Sequence, residues 1–317
     1  MENKLLIIST GGTIVSVDHG NGAEPDGKAA ESLLGKMAEY LKNEGISCEC
    51  KSIFGAAGRD SSDISPAEWH LLSERINEAK SRGIKKILII HGTDTMAYSA
   101  AWLSLTTEGA AVALTGSQLT PGEEGFDGDE NLIGAAKALQ DMESGVIIHF
   151  AGENFGGAYV HKENASELRA YTSTGKGAPP APLPLPPMPE DWRRTASGIE
   201  LVYIHPAIMP RFPADAKILI LAAFGAGNMP QRIQAALSDA YPGRKPVVIA
   251  ASSCAAGEKN PSRYGGVGAA GLAKKNFTLF NQGSYSLEFL IALSYLALLT
   301  GGGEPEKILA LYLEKFQ

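Results

Sequence analysis

The strongest constraint on this chain is a rhythm of short, mostly apolar runs separated by stretches long enough for a helix. Predicted strands at 5–9, 46–53, 86–91, 110–115 and 145–150 alternate with predicted helices at 29–44, 66–82, 95–107 and 129–143. A strand with one wet face alternates apolar and polar residues, whereas one apolar throughout must be covered on both sides. Such strands, each followed by a helix, imply a parallel sheet with helices on its two faces. The start of the second helix is marked by Ser65-Pro66-Ala67-Glu68, a capping box with proline at the first helical position.

The rhythm breaks at 179–189, PPAPLPLPPMP, where seven of the chain's 18 prolines fall within eleven positions. Proline lacks an amide donor and fixes φ, so this stretch reads as an extended, semi-rigid connector. Beyond it come predicted strands at 199–205, 217–224, 247–252 and 277–280, a helix near 230–240, and closing helices at 285–299 and 304–316. The expected architecture is α/β in two domains. A larger N-terminal parallel-sheet domain covers 1–178, a Pro-rich linker 179–195, and a smaller C-terminal α/β domain 196–317.

With 317 residues, 44% of them hydrophobic and 20% charged, the chain can bury a sizeable core. A formal net charge of -7 argues against an extended nucleic-acid surface and against adhesion to anionic membranes. The three cysteines, Cys48, Cys50 and Cys254, lack framework spacing, which fits a reducing compartment. Cys48 and Cys50 are expected on opposite faces of their strand. The N-terminal apolar run is too short for a signal peptide and no stretch suffices for a membrane span, so a cytoplasmic location is expected.

In open parallel sheets, ligands bind outside the carboxyl ends of the strands. Three predicted strands end there in glycine beside a hydroxyl residue: Ser9-Thr10-Gly11-Gly12-Thr13, His91-Gly92-Thr93-Asp94-Thr95 and Thr115-Gly116-Ser117-Gln118. A fourth segment, Gly58-Arg59-Asp60-Ser61-Ser62-Asp63, adds two hydroxyls between acids. One Gly-Thr pair is ordinary turn chemistry, but four such segments on one rim are harder to dismiss. The phosphate-loop and dinucleotide fingerprints are absent, as are HExxH and a Gly-x-Ser-x-Gly elbow. The six histidines show no metal-ligand spacing, and His91 is expected to bond backbone within its loop. The rim suits a hydroxyl nucleophile with close main-chain access and backbone donors for an oxyanion, without cofactor or metal. Lys162 is a candidate base near Thr93, and an ordinary surface lysine is the alternative.

STGGTI followed by HGTDT, with TGSQ and FDGDENL between 115 and 132, resembles the L-asparaginase family, the bacterial-type asparaginase/glutaminase amidohydrolases. The resemblance extends over essentially the whole chain, including LAAFGAGNMP at 221–230. It implies hydrolysis of L-asparagine to L-aspartate and ammonia, with Thr10 as nucleophile through an acyl-enzyme and weak glutaminase activity as a companion. It assigns Thr93, Asp94 and Lys162 to a second triad, Asp94 to the substrate's α-ammonium and Ser61, with Ser62 beside it, to the α-carboxylate. Gly11, Gly92, Ser117, Asn228 and Glu258 join the implied substrate site. Glu258 fits a glutamate that enters from a partner protomer. No cofactor is implied, and the implied partner is a second copy, as a homodimer or dimer of dimers.

One departure stands out. Family members place a tyrosine a dozen or so residues past the nucleophile, whereas here no tyrosine precedes Tyr40. Gly20, Gly22 and Gly27 with Pro25 still suggest a loop that closes on substrate. Two other readings compete. One is an amino-acid-binding regulator on the same scaffold, which would not need Thr10, Thr93, Asp94 and Lys162 together. The other is the ammonia-releasing component of a tRNA-dependent amidotransferase, expected to carry an extra domain before TGGT, which this chain reaches by residue 10.

Overall fold

The structure is a computed structural model and describes residues 4–18, 20, 22–257, 259 and 270–316. It contains two compact units, Met1–Thr172 with Pro179–Leu185 and Ser173–Ala178 with Pro186–Gln317.

From the N-terminus the elements are β1 (Lys4–Ser9), β2 (Ser16–Asp18), β3 (Ala23–Pro25), α1 (Gly27–Asn43), β4 (Ser47–Ser52), α2 (Pro66–Ser81) and β5 (Lys86–Ile90). Then come α3 (Met96–Thr106), β6 (Ala111–Thr115), α4 (Gly128–Asp141), β7 (Gly145–Phe150), β8 (Glu153–Gly156), β9 (Val160–Lys162) and β10 (Tyr171–Ser173). One sheet runs β4-β1-β5-β6-β7-β8, parallel except for β8. The five predicted strands of this unit are recovered to within one residue at either end. The antiparallel β8 has no sequence signal, because its ENFG is short and polar. It doubles back from β7 through Ala151 and Gly152, both at positive φ (48° and 77°).

Both sheet faces are covered, as apolar strands demand. On one side Leu33, Met37 and Leu41 of α1 and Leu132, Ala135 and Leu139 of α4 pack on Leu5, Ile7, Leu88 and Ile90. Each large apolar side chain among them contributes about 1.5–3 kcal/mol by leaving water. Helix α3 is buried along nearly its whole length. Its Trp102 stacks on Trp69 of α2 at 5.9 Å and donates to Ser73 Oγ at 3.0 Å. The capping box of α2 forms, with Glu68 Oε2 accepting from Ser65 N at 2.9 Å.

The second unit holds α5 (Trp192–Ala196), β11 (Ile199–Tyr203), β12 (Ile218–Ala223), α6 (Gln231–Ala240), β13 (Val247–Ser252), α7 (Ala270–Ala273), β14 (Leu279–Asn281), α8 (Leu287–Thr300) and α9 (Pro305–Leu309). Its sheet is parallel in the order β11-β12-β13-β14. Residues 175–189 carry no helix or strand. The last helix stops at Leu309 rather than 316, because the chain turns to lie along β14. There Asn281 N donates to Glu314 O at 2.9 Å and Phe316 N to Leu279 O at 2.8 Å. Among the described residues, no helix is long and apolar enough to cross a membrane.

The expectation for Cys48 and Cys50 is overturned. Residues two apart on a strand share a face, and the Cys48 thiol sits beside Cys50. Although Cys50 is exposed at its surface, partial desolvation of the thiol, reinforced by that neighbour, pushes it up to about 12.

Candidate active site

Strands β1, β5 and β6 point the same way, so the segments that follow them meet at one rim. Their glycines are required by close passage of main chain on main chain. A Cβ on Gly12 (φ +91°) would stand 2.3 Å from Gly92 Cα, and one on Gly116 2.3 Å from His91 O. A Cβ on Gly11 (φ +110°) would stand 2.4 Å from Arg59 O. Backbone bonds stitch the same segments together: Thr10 N to Ile90 O (2.9 Å), Arg59 N to Thr10 O (2.8 Å), Gly12 N to Arg59 O (3.1 Å) and His91 N to Thr115 O (2.8 Å). The amides of Gly11 and Thr93 donate no backbone hydrogen bond among the described residues.

Thr10 is 2% exposed, and its hydroxyl donates to Ile90 O at 3.0 Å. Thr93 is also buried. Lys162 Nζ donates to Thr93 Oγ1 at 2.8 Å and to Asp94 Oδ1 at 2.7 Å. The Lys162 side chain is 18% exposed and that of Asp94 64%. The half-buried Lys162 thus brings its Nζ to a buried hydroxyl, with one exposed carboxylate beside it.

His91 is fully buried and serves its loop as expected. Nδ1 faces Gly92 O and Nε2 faces Ser99 Oγ, both at 2.8 Å. Burial pulls the ring down to about 4 despite the opposing Gly92 bond, so it is neutral near pH 7. A carbonyl only accepts, so the proton sits on Nδ1 and Nε2 accepts from Ser99.

Ser61 is buried in a short 3-10 turn, and a Cβ on Gly92 would stand 2.6 Å from its Oγ. Ser62, beside it, is exposed, and its amide donates to Asp60 Oδ1 at 2.8 Å. Ser117 is buried with its hydroxyl donating to Leu119 O at 2.6 Å. Asn228 belongs to the second unit, in the turn after β12 where Phe224 N donates to Asn228 O at 2.9 Å. Its Oδ1 is buried without a partner among the described residues. Glu258 lies outside the described residues. The stretch expected as a closing loop contains an antiparallel hairpin of β2 and β3, with Asp18 Oδ1 accepting from Gly20 N (2.6 Å) and Gly22 N (3.2 Å).

Sequence reasoning missed four supporting residues. Thr95 Oγ1 donates to Ser61 O at 2.7 Å and so ties the second segment to the fourth. Asp127 accepts from the Gln118 and Leu119 amides, each at 3.1 Å. Asn131, 2% exposed, donates to Gly116 O (3.0 Å) and Asp127 (2.9 Å) and accepts from Ala151 N (2.9 Å). The signal for Asp127 and Asn131 is their i,i+4 spacing in FDGDENL at the start of α4. The fourth is Tyr171, whose hydroxyl donates to Thr93 O at 2.6 Å. Nothing in its sequence surroundings marks it.

The family model described as Asparaginase, N-terminal, matches residues 4–179, the span that contains this whole rim. The chain belongs to the asparaginase family. Among its relatives is L-asparaginase 1 of Escherichia coli K12, 29% identical over 287 residues, covering 83% of this chain and 84% of that one. Another is a glutamyl-tRNA(Gln) amidotransferase chain of Methanococcus maripaludis C5, 32% identical over 176 residues, or 55% of this chain. The match spans only 41% of that relative's length. Two solved structures share the fold over nearly the full chain. The thermostable L-asparaginase of Thermococcus kodakarensis has a TM-score of 0.79 at 23% identity, over 97% of this chain and 96% of that one. L-asparaginase I of Vibrio cholerae has a TM-score of 0.74 at 24% identity, over 98% and 96%. The two-domain α/β fold is thus that of the family.

Proposed function

We propose that the chain hydrolyses L-asparagine to L-aspartate and ammonia, with Thr10 as nucleophile. The observation that carries the reading is the contact of Lys162 Nζ with Thr93 Oγ1 and Asp94 Oδ1, on the rim that also holds Thr10. Ordinary turn chemistry does not require an ammonium delivered to a buried hydroxyl. Thr10 Oγ1 attacks the side-chain amide carbon, and the oxyanion is met by the Gly11 and Thr93 amides. The proton of Thr10 passes to the amide nitrogen, the C–N bond breaks and ammonia leaves. Water then adds to the acyl-Thr10 ester, its proton is relayed through Thr93 and Lys162 to Thr10 Oγ1 as the C–Oγ1 bond breaks, and aspartate departs. Ser61, with Ser62 and Gly92, receives the α-carboxylate, and Ser117 lines the amide end. Asp94 receives the α-ammonium and is shared with Lys162 until substrate arrives. The route calls for no cofactor. Glutamine, one methylene longer, is a weaker substrate of the same site, and the chain works as a homodimer or dimer of dimers.

Ammonia release by the purified chain from L-asparagine, L-glutamine and D-asparagine tests the reading. Release is expected chiefly from L-asparagine, and no hydrolysis of any of the three sinks it. The likeness to the amidotransferase chain favours a second reading, in which ammonia is released for a partner. That reading predicts that free L-asparagine is hydrolysed poorly and that a partner chain raises the rate.

A further inference from the structure

We propose that Tyr171 is a positioning residue for Thr93, acting from the same hairpin that carries Lys162; the proposal rests on the amidohydrolase reading. Strands β9 and β10 form a two-stranded sheet of their own. Just past Lys162 and just before Tyr171, Glu163 N donates to Ala170 O at 2.8 Å and holds the two side chains near each other. Both converge on one residue. Lys162 Nζ reaches the Thr93 side chain at 2.8 Å, and the Tyr171 hydroxyl reaches the Thr93 carbonyl at 2.6 Å.

Packing alone does not account for that hydroxyl. Tyr171 is 6% exposed, and its ring lies edge-on to Phe150, with centroids 5.1 Å apart, and against Phe155 at 6.4 Å. Phenylalanine would satisfy both ring contacts. What tyrosine adds is a donor aimed at the peptide between Thr93 and Asp94. That bond fixes the orientation of the peptide and, with it, where the Thr93 hydroxyl and the Asp94 carboxylate begin. Because clamp and lysine share one hairpin, a small shift of the hairpin carries both together and the Lys162–Thr93 distance is preserved. Without the clamp, Thr93 can turn away from an ammonium that stays in place. Proton transfer depends steeply on that distance, so the loss falls on the chemical step rather than on substrate binding.

Tyr171→Phe in the full chain tests this. Loosening the peptide that carries a reacting hydroxyl is taken to cost about tenfold in rate, which corresponds to about 1.4 kcal/mol. The expected result is a kcat about tenfold lower, with the KM for L-asparagine within about twofold of wild type. Phe155→Leu serves as the companion, because it loosens the ring packing and keeps the hydroxyl. It should lower Tm while leaving kcat within about twofold. A Tyr171→Phe kcat within about twofold of wild type overturns the clamp, whatever happens to KM. So does a Phe155→Leu variant that loses as much kcat, since ring packing would then be the cause. In either case wild type still releases ammonia and the amidohydrolase reading stands. A wild-type chain that hydrolyses no amide defeats that reading first, and the clamp with it.

Discussion

Replacing Lys162 with methionine separates chemistry from stability more sharply than any other single change. Methionine keeps most of the length and apolar stem of lysine and removes the ammonium. Two contacts are lost, to Asp94 at 2.7 Å and to Thr93 at 2.8 Å. The Asp94 side chain is 64% exposed, so its carboxylate rehydrates once the lysine is gone. Ion pairs this open to water are worth about 0–1 kcal/mol. The buried Thr93 hydroxyl loses one donor, at about 1 kcal/mol. Lys162→Met should therefore cost about 1–2 kcal/mol and lower Tm by about 3–6 °C. Activity should behave differently. On the proposed route Lys162 handles the proton of the attacking water, so its loss should lower kcat by about 10²–10⁴-fold. Ammonia release and a thermal melt on the same preparation read both quantities. A kcat within about threefold of wild type would refute the reasoning, as would a collapse of Tm that accounts for the lost activity by unfolding.

Thr10→Ala should abolish measurable turnover yet destabilise by only about 1 kcal/mol, since it gives up a single bond to Ile90 O; retained kcat would remove Thr10 from the mechanism. Gly12→Ala forces a Cβ to 2.3 Å from Gly92 Cα at φ +91°, so a loss of at least about 1–3 kcal/mol together with a raised KM is expected from melts and kinetics. Asn131→Ala strands Gly116 O and the Ala151 amide and should cost about 2–3 kcal/mol, read by denaturant unfolding. The folded value of His91, about 4, lies below the ordinary 6.5, so the unfolded chain takes up the proton first. Its stability contribution is whole above pH ~6.5 and is lost as pH falls toward ~4, by up to ~3 kcal/mol. Unfolding measured across that window in wild type and His91→Gln should show a shallower slope in the variant.

Much of the rim is legible in the sequence because its residues sit at punctuation marks. A strand apolar throughout, as at Leu5–Ile8, can only run into a turn, and Gly11-Gly12 follows at once. Thr10 and Thr93 can be placed at neighbouring strand ends because a parallel sheet brings all its carboxyl ends to one side. The residues that brace the rim are not legible in the same way. Asn131 acts through bonds to Gly116 and Ala151, 15 and 20 residues away, and Thr95 through a carbonyl 34 residues back. Polar residues on helices and in loops look alike until the partner is known. The final predicted helix runs too far for a related reason: apolar periodicity in 304–316 also suits residues that pair with β14.

The sequence by itself determined the layers, the direction of the main strands and the hydroxyl-rich strand ends, because these follow from local periodicity and turn chemistry. Tertiary structure alone decided which glycines are obligatory, since that depends on another segment passing within 2.3–2.4 Å of an added Cβ, as at Gly11, Gly12 and Gly116. It also decided that Lys162 lies against Thr93 across 69 residues of chain, and that Tyr171 reaches the same residue across 78. Local propensity has no term for contacts of that range. They exist because a hairpin beyond the sheet's last strand returns to the rim, where burial makes an ammonium and a phenol hydroxyl seek the nearest acceptors.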